Sequence, residues 1–217
     1  VDKLDDKESG RSWNGPLVVA VSRRTASAAE VFAGAIQDHR RGVIVGDEGT
    51  SGRSVNENIL PVNPEKKHGA VRLMWSCLYR PSGEGFQKKG VESDVVLPSL
   101  VGYGLSQARR TDDGLGFDRI AGDGFSPSGE DLADVVRALR VRSESRMARD
   151  KGFQKVQKAI QMMENRSRDG GVSLNEDEFE KEWSEEKAGG DSSSDQDFYL
   201  DEVLNIAADL SEELATQ

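Results

Sequence analysis

Leu17-Val-Val-Ala-Val21, Ser22-Arg-Arg-Thr-Ala-Ser27, Ala28-Ala-Glu-Val-Phe-Ala-Gly-Ala-Ile-Gln-Asp38 and Gly42-Val-Ile-Val-Gly46 follow one another almost without a break. The first and last runs are continuous, short and rich in β-branched residues, as in parallel strands buried on both faces. Pro16 opens the first of them. Between the runs, Val31, Phe32, Ala35 and Ile36 recur at helical spacing and predict a helix from Ser27 to about Arg40 with that stripe inward. Strand, turn, helix and strand in sequence make a βαβ unit over residues 16–46, with a right-handed crossover.

Two further strands are expected at Ser54–Val62 and Ala70–Tyr79, joined by the turn-rich segment from Asn63 to Gly69. Pro81 to Gly85 reads as a loop, and Asp94–Leu97 as a short strand closed by Pro98. The expected fold class is therefore α/β: a βαβ-containing core with a mixed sheet over residues 16–100, preceded by a lead-in loop at 1–15. Beyond residue 100 the pattern becomes helical, at Glu130–Arg149 and Phe153–Asn165. A further helix is expected from Ser173, with Glu176 completing a capping box, to about Lys187. Residues 101–188 thus form a helical extension, 189–196 a flexible Gly/Ser linker, and 197–217 a docking helix. In that last helix Leu200, Val203, Leu204, Ala207 and Leu210 share one face, which needs a surface to cover it.

The composition narrows the function classes. No stretch approaches 18 uninterrupted apolar residues, so no membrane span is expected. The single Cys77 excludes an intrachain disulfide and a cysteine metal cluster, and His39 and His68 are too isolated for a zinc site. Neither a cofactor nor a metal is expected. Residues 169–217 carry 16 acidic against 2 basic residues, a balance of −14 that leaves +4 for the rest of the net −10. So acidic a tail argues against nucleic acid as a partner. The opening Val1-Asp-Lys-Leu-Asp-Asp6 has neither an initiator methionine nor an apolar export segment, and reads as an internal starting point.

Ser27 admits two readings. With Glu30 three residues on, it is an S-x-x-E capping box, a common way to satisfy the first helical N–H groups. The same position also holds a hydroxyl beside the positive end of a helix and its unpaired amides. There the Ala28 N–H is a natural donor to an oxyanion. What a serine lacks at neutral pH is a base.

The segment Arg23-Arg-Thr-Ala-Ser-Ala-Ala-Glu-Val-Phe-Ala-Gly-Ala-Ile-Gln-Asp-His-Arg-Arg-Gly-Val-Ile-Val-Gly46 closely resembles the nucleophile segment of the C-terminal processing, or tail-specific, serine proteases of the S41 peptidase family. Leu78-Tyr-Arg-Pro-Ser-Gly83 and Gln87-Lys-Lys-Gly-Val-Glu-Ser-Asp-Val-Val-Leu-Pro-Ser-Leu100 continue the likeness. Phe198-Tyr-Leu-Asp-Glu-Val-Leu-Asn-Ile-Ala-Ala-Asp-Leu210 is similar to the closing helix of the long, tail-specific branch. Ser27 corresponds to the family's nucleophile. Where the family reads Gly-Asp-x-x-Thr-x-Gly-Lys-Gly-(Thr/Ser)-Val-Gln, this chain reads Gly46-Asp-Glu-Gly-Thr-Ser-Gly-Arg-Ser-Val-Asn56. Arg53 takes the position of the lysine base, one glycine is missing, and Asn56 takes that of the glutamine. Arginine is a poor exchange, because a guanidinium keeps its proton across the range in which proteins work. Lys66, Lys67, Lys88 and Lys89 lie in solvated stretches, and His39 lies at the far end of the nucleophile helix.

The resemblance implies a serine endopeptidase acting on unfolded or C-terminally exposed proteins near apolar C-termini, in the periplasm or cell envelope, and leaves room for an adaptor protein. It also implies that the family's peptide-binding module, export signal and second oxyanion donor lie N-terminal to this region, so the chain is expected to be the C-terminal half of a longer polypeptide. Arg53 motivates the alternative, a pseudoprotease that binds unfolded or C-terminal segments without turnover.

Overall fold

The computed structural model describes residues 13–63, 65, 68–110, 118–121, 124–168, 175–177 and 197–216. The chain runs β1 (Val18–Val21), α1 (Ala28–Asp38), β2 (Val43–Gly46), β3 (Val55–Pro61), β4 (Ala70–Cys77), β5 (Val95–Val96), α2 (Leu100–Arg110), α3 (Ala133–Met147), α4 (Lys151–Arg168) and α5 (Phe198–Ala215). The fold is α/β, with parallel and antiparallel pairing in two separate sheets. β1, β2 and β5 form a parallel sheet in the order β1-β2-β5, and β3 and β4 pair as an antiparallel hairpin.

The parallel sheet is covered on both faces, which is why its strands are continuously apolar. Alternation along β2 divides its side chains between two cores. Val43 and Val45 pack with Val95, Leu97, Val135, Leu139, Phe153, Ile206 and Leu210 on the side of α3 and α5. Ile44 packs with Val21, Ala33, Phe86 and Val91 on the side of α1. Where β2 ends, Gly46 has φ 142°, and a Cβ there would lie 1.8 Å from the Val21 carbonyl oxygen. Only glycine lets the strand leave the sheet here.

Three elements differ from expectation. The inward face of α1 centres on Glu30, Ala33 and Gly34, while Phe32 turns outward, 55% exposed. Phe86 sets this phase, lying so close to Gly34 that a Cβ would meet it at 3.1 Å. Helix α2 has no counterpart among the helices expected within the extension, which begin at Glu130. Ser99 starts it by accepting the Gly102 N–H on its hydroxyl at 2.8 Å. On α5 the buried stripe is Glu202, Ile206 and Leu210, and Leu200 and Leu204 face water. Glu202 is inside because Arg146 of α3 pairs with it, and α5 packs on α3 and β1. The helix expected over Ser173–Lys187 (apart from residues 175–177) and the linker at 189–196 lie outside the described residues, as does residues 1–12 of the lead-in.

Candidate active site

Ser27 stands between β1 and α1 with φ 56° and ψ −127°. That left-handed conformation is rare for a side-chain-bearing residue and costs roughly 1–3 kcal/mol. The turn is held by its neighbours: Thr25 N–H donates to Ser22 O at 2.9 Å, and Ser22 N–H donates to Thr25 Oγ1 at 3.0 Å. Ser27 O accepts from Glu30 N–H at 2.9 Å, so the helix begins at once. Ser27 is exposed, and its side chain makes no capping hydrogen bond. Ala28, the first helical residue, is exposed beside it, with one of the amides that a helix leaves without an internal acceptor.

Glu30 does not form the capping box that its spacing suggests. It is fully buried, 0% exposed, and turns toward the loop after β2. Its carboxylate accepts from the Thr50 hydroxyl, from Gly52 N–H at 2.5 Å, from Arg53 N–H at 3.0 Å and from the Ser54 hydroxyl at 2.7 Å. Ser51 N–H donates to Thr25 O at 2.7 Å, and the Ser54 hydroxyl lies 3.3 Å from Ser27 O. One buried carboxylate thus stitches the loop carrying Arg53 to the turn carrying Ser27. The sequence carried no local signal for this, because an S-x-x-E capping box accounts for the spacing of Glu30 equally well.

The other residues singled out in the sequence fall as follows. Arg53 is exposed, its backbone amide committed to Glu30. Asn56 lies on β3 and donates its side-chain amide to the Ser76 hydroxyl at 2.9 Å across the hairpin. Lys88 has φ 62° and donates its N–H to Gly52 O at 3.2 Å, next to Arg53 in the chain. Lys89 pairs with Glu84 at 3.6 Å and Glu92 at 3.5 Å. His39 packs edge-on against Phe125 beyond the C-terminus of α1. Lys66 and Lys67 lie outside the described residues. Among the described residues no group of three His, Cys, Asp or Glu side chains could hold a metal. Grooves of about 510 Å³ between α2 and α4, and about 540 Å³ at the α4–α5 contact, are lined by neither Ser27 nor Arg53.

A strand–turn–helix element with an exposed, strained serine is a recurrent seat for a catalytic nucleophile. Residues 1–97 match the model for peptidase family S41, and residues 109–191 match that for the C-terminal domain of tail specific protease (DUF3340). Over these two regions the chain is similar to peptidase family S41 in its tail-specific branch. It is similar to the tail-specific protease of Haemophilus influenzae, 27% identical over 177 residues, which covers 79% of this chain and 26% of that protein. It is also similar to the carboxy-terminal-processing protease of Bartonella bacilliformis, 36% identical over 97 residues, covering 45% of this chain and 21% of that protein. Among solved structures, the photosystem II D1 C-terminal processing protease is 38% identical, covering 38% of this chain and 20% of that one, with a TM-score of 0.32. The chain spans about a quarter or less of these relatives.

Proposed function

We propose that this chain carries the nucleophile of a serine endopeptidase that cleaves unfolded proteins near apolar C-termini. The observation that carries this reading is the exposed Ser27 at φ 56°, at the head of α1, where the resemblance puts the family's nucleophile. Its Oγ would attack the scissile carbonyl, forming the Oγ–C bond as the carbonyl electron pair moves to oxygen. The Ala28 N–H would donate to that oxyanion, a contribution typically of about 10²–10³ in rate per donor. The Ser27 proton would pass to a base and then to the leaving amine, and water would release the acyl group. Cell-envelope location and delivery of substrates by an adaptor fit the same reading.

The proton acceptor is where a second reading gains support. Arg53 stands where the resemblance puts the lysine base, and a guanidinium cannot collect the serine proton. It can hold an anion, such as the carboxylate of a chain end. On that reading the protein is a pseudoprotease, binding unfolded or C-terminal segments without cleaving them.

The test is a polypeptide that includes this chain and extends to the length of its relatives, given an unfolded reporter with an apolar C-terminus. Cleavage by the Arg53 form that vanishes on Ser27→Ala supports the peptidase and requires a base other than residue 53. Cleavage only after Arg53→Lys, or binding without cleavage in both forms, supports the pseudoprotease. Neither cleavage nor binding rejects both readings.

A further inference from the structure

The Ser27 turn is held from a second direction, by residues that the proposed chemistry does not use. Arg23 lies four residues before Ser27, with its side chain only 12% exposed. Its backbone N–H donates to Asp47 Oδ2 at 2.7 Å. Its guanidinium donates to Thr50 O at 3.1 Å, Glu48 Oε2 at 3.0 Å and the Ser106 hydroxyl of α2 at 2.9 Å. Asp47 is 5% exposed, and its other carboxylate oxygen accepts the Ser99 hydroxyl at 2.5 Å. Ser99 starts α2, and the preceding Pro98 carbonyl accepts the Tyr199 hydroxyl of α5 at 2.5 Å. A Cβ on Gly102 would come within 2.5 Å of the Asp47 carboxylate, so α2 seats here because that residue is glycine.

The nucleophile turn and the Arg53 loop therefore meet twice: at Glu30 from inside α1, and at Arg23 and Asp47 from the side of α2 and α5. Ser99, Ser106 and Tyr199 lie outside both family-matched regions. A buried carboxylate keeps its geometry only while its donors stay in place. Undocking α2 strips Ser99 from Asp47, and the Arg23 amide loses a preorganised acceptor.

We infer that Asp47 is a positioning residue for the Ser27 turn, and that α2 and α5 support it through Ser99 and Tyr199. Its bearing on rate rests on reading Ser27 as the nucleophile; the brace itself does not. The C-terminal helices then condition the site rather than merely shield the sheet.

Amide hydrogen exchange on the 217-residue chain, read by NMR at Arg23 and Arg53, tests this. Ser99→Ala and Asp47→Asn each accelerate exchange at Arg23 by about tenfold or more, leaving Val43–Val45 unchanged. Tyr199→Phe gives a smaller acceleration of about threefold at the same amides. Ser99→Thr, which keeps the hydroxyl, restores the parent rate. If Asp47→Asn fails to fold, Ser99→Ala carries the test, since it removes one oxygen from a half-buried position. In a polypeptide that cleaves, Ser99→Ala lowers kcat with KM unchanged. Unchanged exchange at Arg23 in Ser99→Ala, or equal acceleration throughout β2, overturns the inference. A turn that loosens as expected in a protein that never cleaves upholds the brace and rejects the peptidase reading.

Discussion

A serine at φ 56° and ψ −127° is strained, and the strain makes a testable statement about Ser27. Glycine reaches this conformation freely, at a cost of greater freedom in the unfolded chain. With strain of about 1–3 kcal/mol relieved and about 0.5–1 kcal/mol lost to entropy, Ser27→Gly should raise unfolding stability by up to about 2.5 kcal/mol. Ser27→Ala keeps the Cβ and should raise nothing; a glycine variant no more stable than the alanine one refutes strain at this site. Glu30 makes the opposite case. Glu30→Ala leaves four donors facing a void, and should cost about 3 kcal/mol or more in denaturant unfolding. Glu30→Gln, which keeps an acceptor, should cost less, and equal losses would mean the hydrogen bonds matter less than the volume. Asp94 supplies a pH dependence. Its carboxylate accepts from Ile44 N–H at 2.7 Å and from the Gln37 amide at 2.9 Å, yet burial still raises its pKa above the ordinary carboxylate range. A raised folded-state pKa means its contribution is full in acid and fades as pH climbs through that pKa. The stability of the parent minus that of Asp94→Asn should therefore fall from pH 4 to 7, and a flat or rising difference sinks the assignment. How far this site could be read beforehand differs by residue. The strand–turn–helix that sets Ser27 at a helix N-terminus was legible from spacing, because it is a local structure, whereas the roles given to Ser27 and Arg53 came only from the resemblance. The role of Glu30 was not legible: its partners at residues 50–54 are 20 or more positions away, and a capping box explained the same spacing.

Elements were legible where hydrophobic period decides them and illegible where a buried charge or a glycine intervenes. β1, α1 and β2 are set by their own apolar runs, and α3 and α4 lie close to where their periodicity puts them. α2 has no counterpart among the expected helices, and its Gly102 is present for close approach to Asp47, a contact no local pattern shows. The face of α5 was misjudged because a glutamate was assigned to water. Glu202 is instead buried beneath Arg146, whose Nε donates to both carboxylate oxygens, at 3.1 and 3.0 Å. Arg142 reaches Asp209, Glu212 and Glu213 on the same helix. Removing one partner of a buried pair strands the other, while replacing both with apolar groups can be neutral. Arg146→Met should therefore cost about 2–3 kcal/mol and strip exchange protection from residues 199–210. Arg146→Met with Glu202→Leu should recover most of that loss. A double variant worse than the single would show that the ion pair, not its burial, holds α5 in place.

At the scale of the molecule, the β3–β4 hairpin stands apart. It is the one antiparallel sheet among the described residues, with Leu60 opposite Val71 and Asn58 opposite Leu73. Leu60, Val71, Leu73 and Trp75 are exposed, Trp75 by 72%, and Ile59 and Met74 are exposed as well. Two strands alone are marginal in water, and open edges beside apolar side chains invite pairing with other chains. The apolar pattern over residues 54–79 predicts strands but not which surface they meet, since period alone does not name a partner. In the 217-residue chain these exposed side chains meet water or another copy. Sedimentation should therefore show association that grows with concentration. Leu73→Lys with Trp75→Lys should suppress it and, because both side chains are already exposed, shift unfolding stability by no more than about 0.5 kcal/mol per site. A loss of several kcal/mol would mean the hairpin packs on its own chain, and undiminished association would place the contact on another surface.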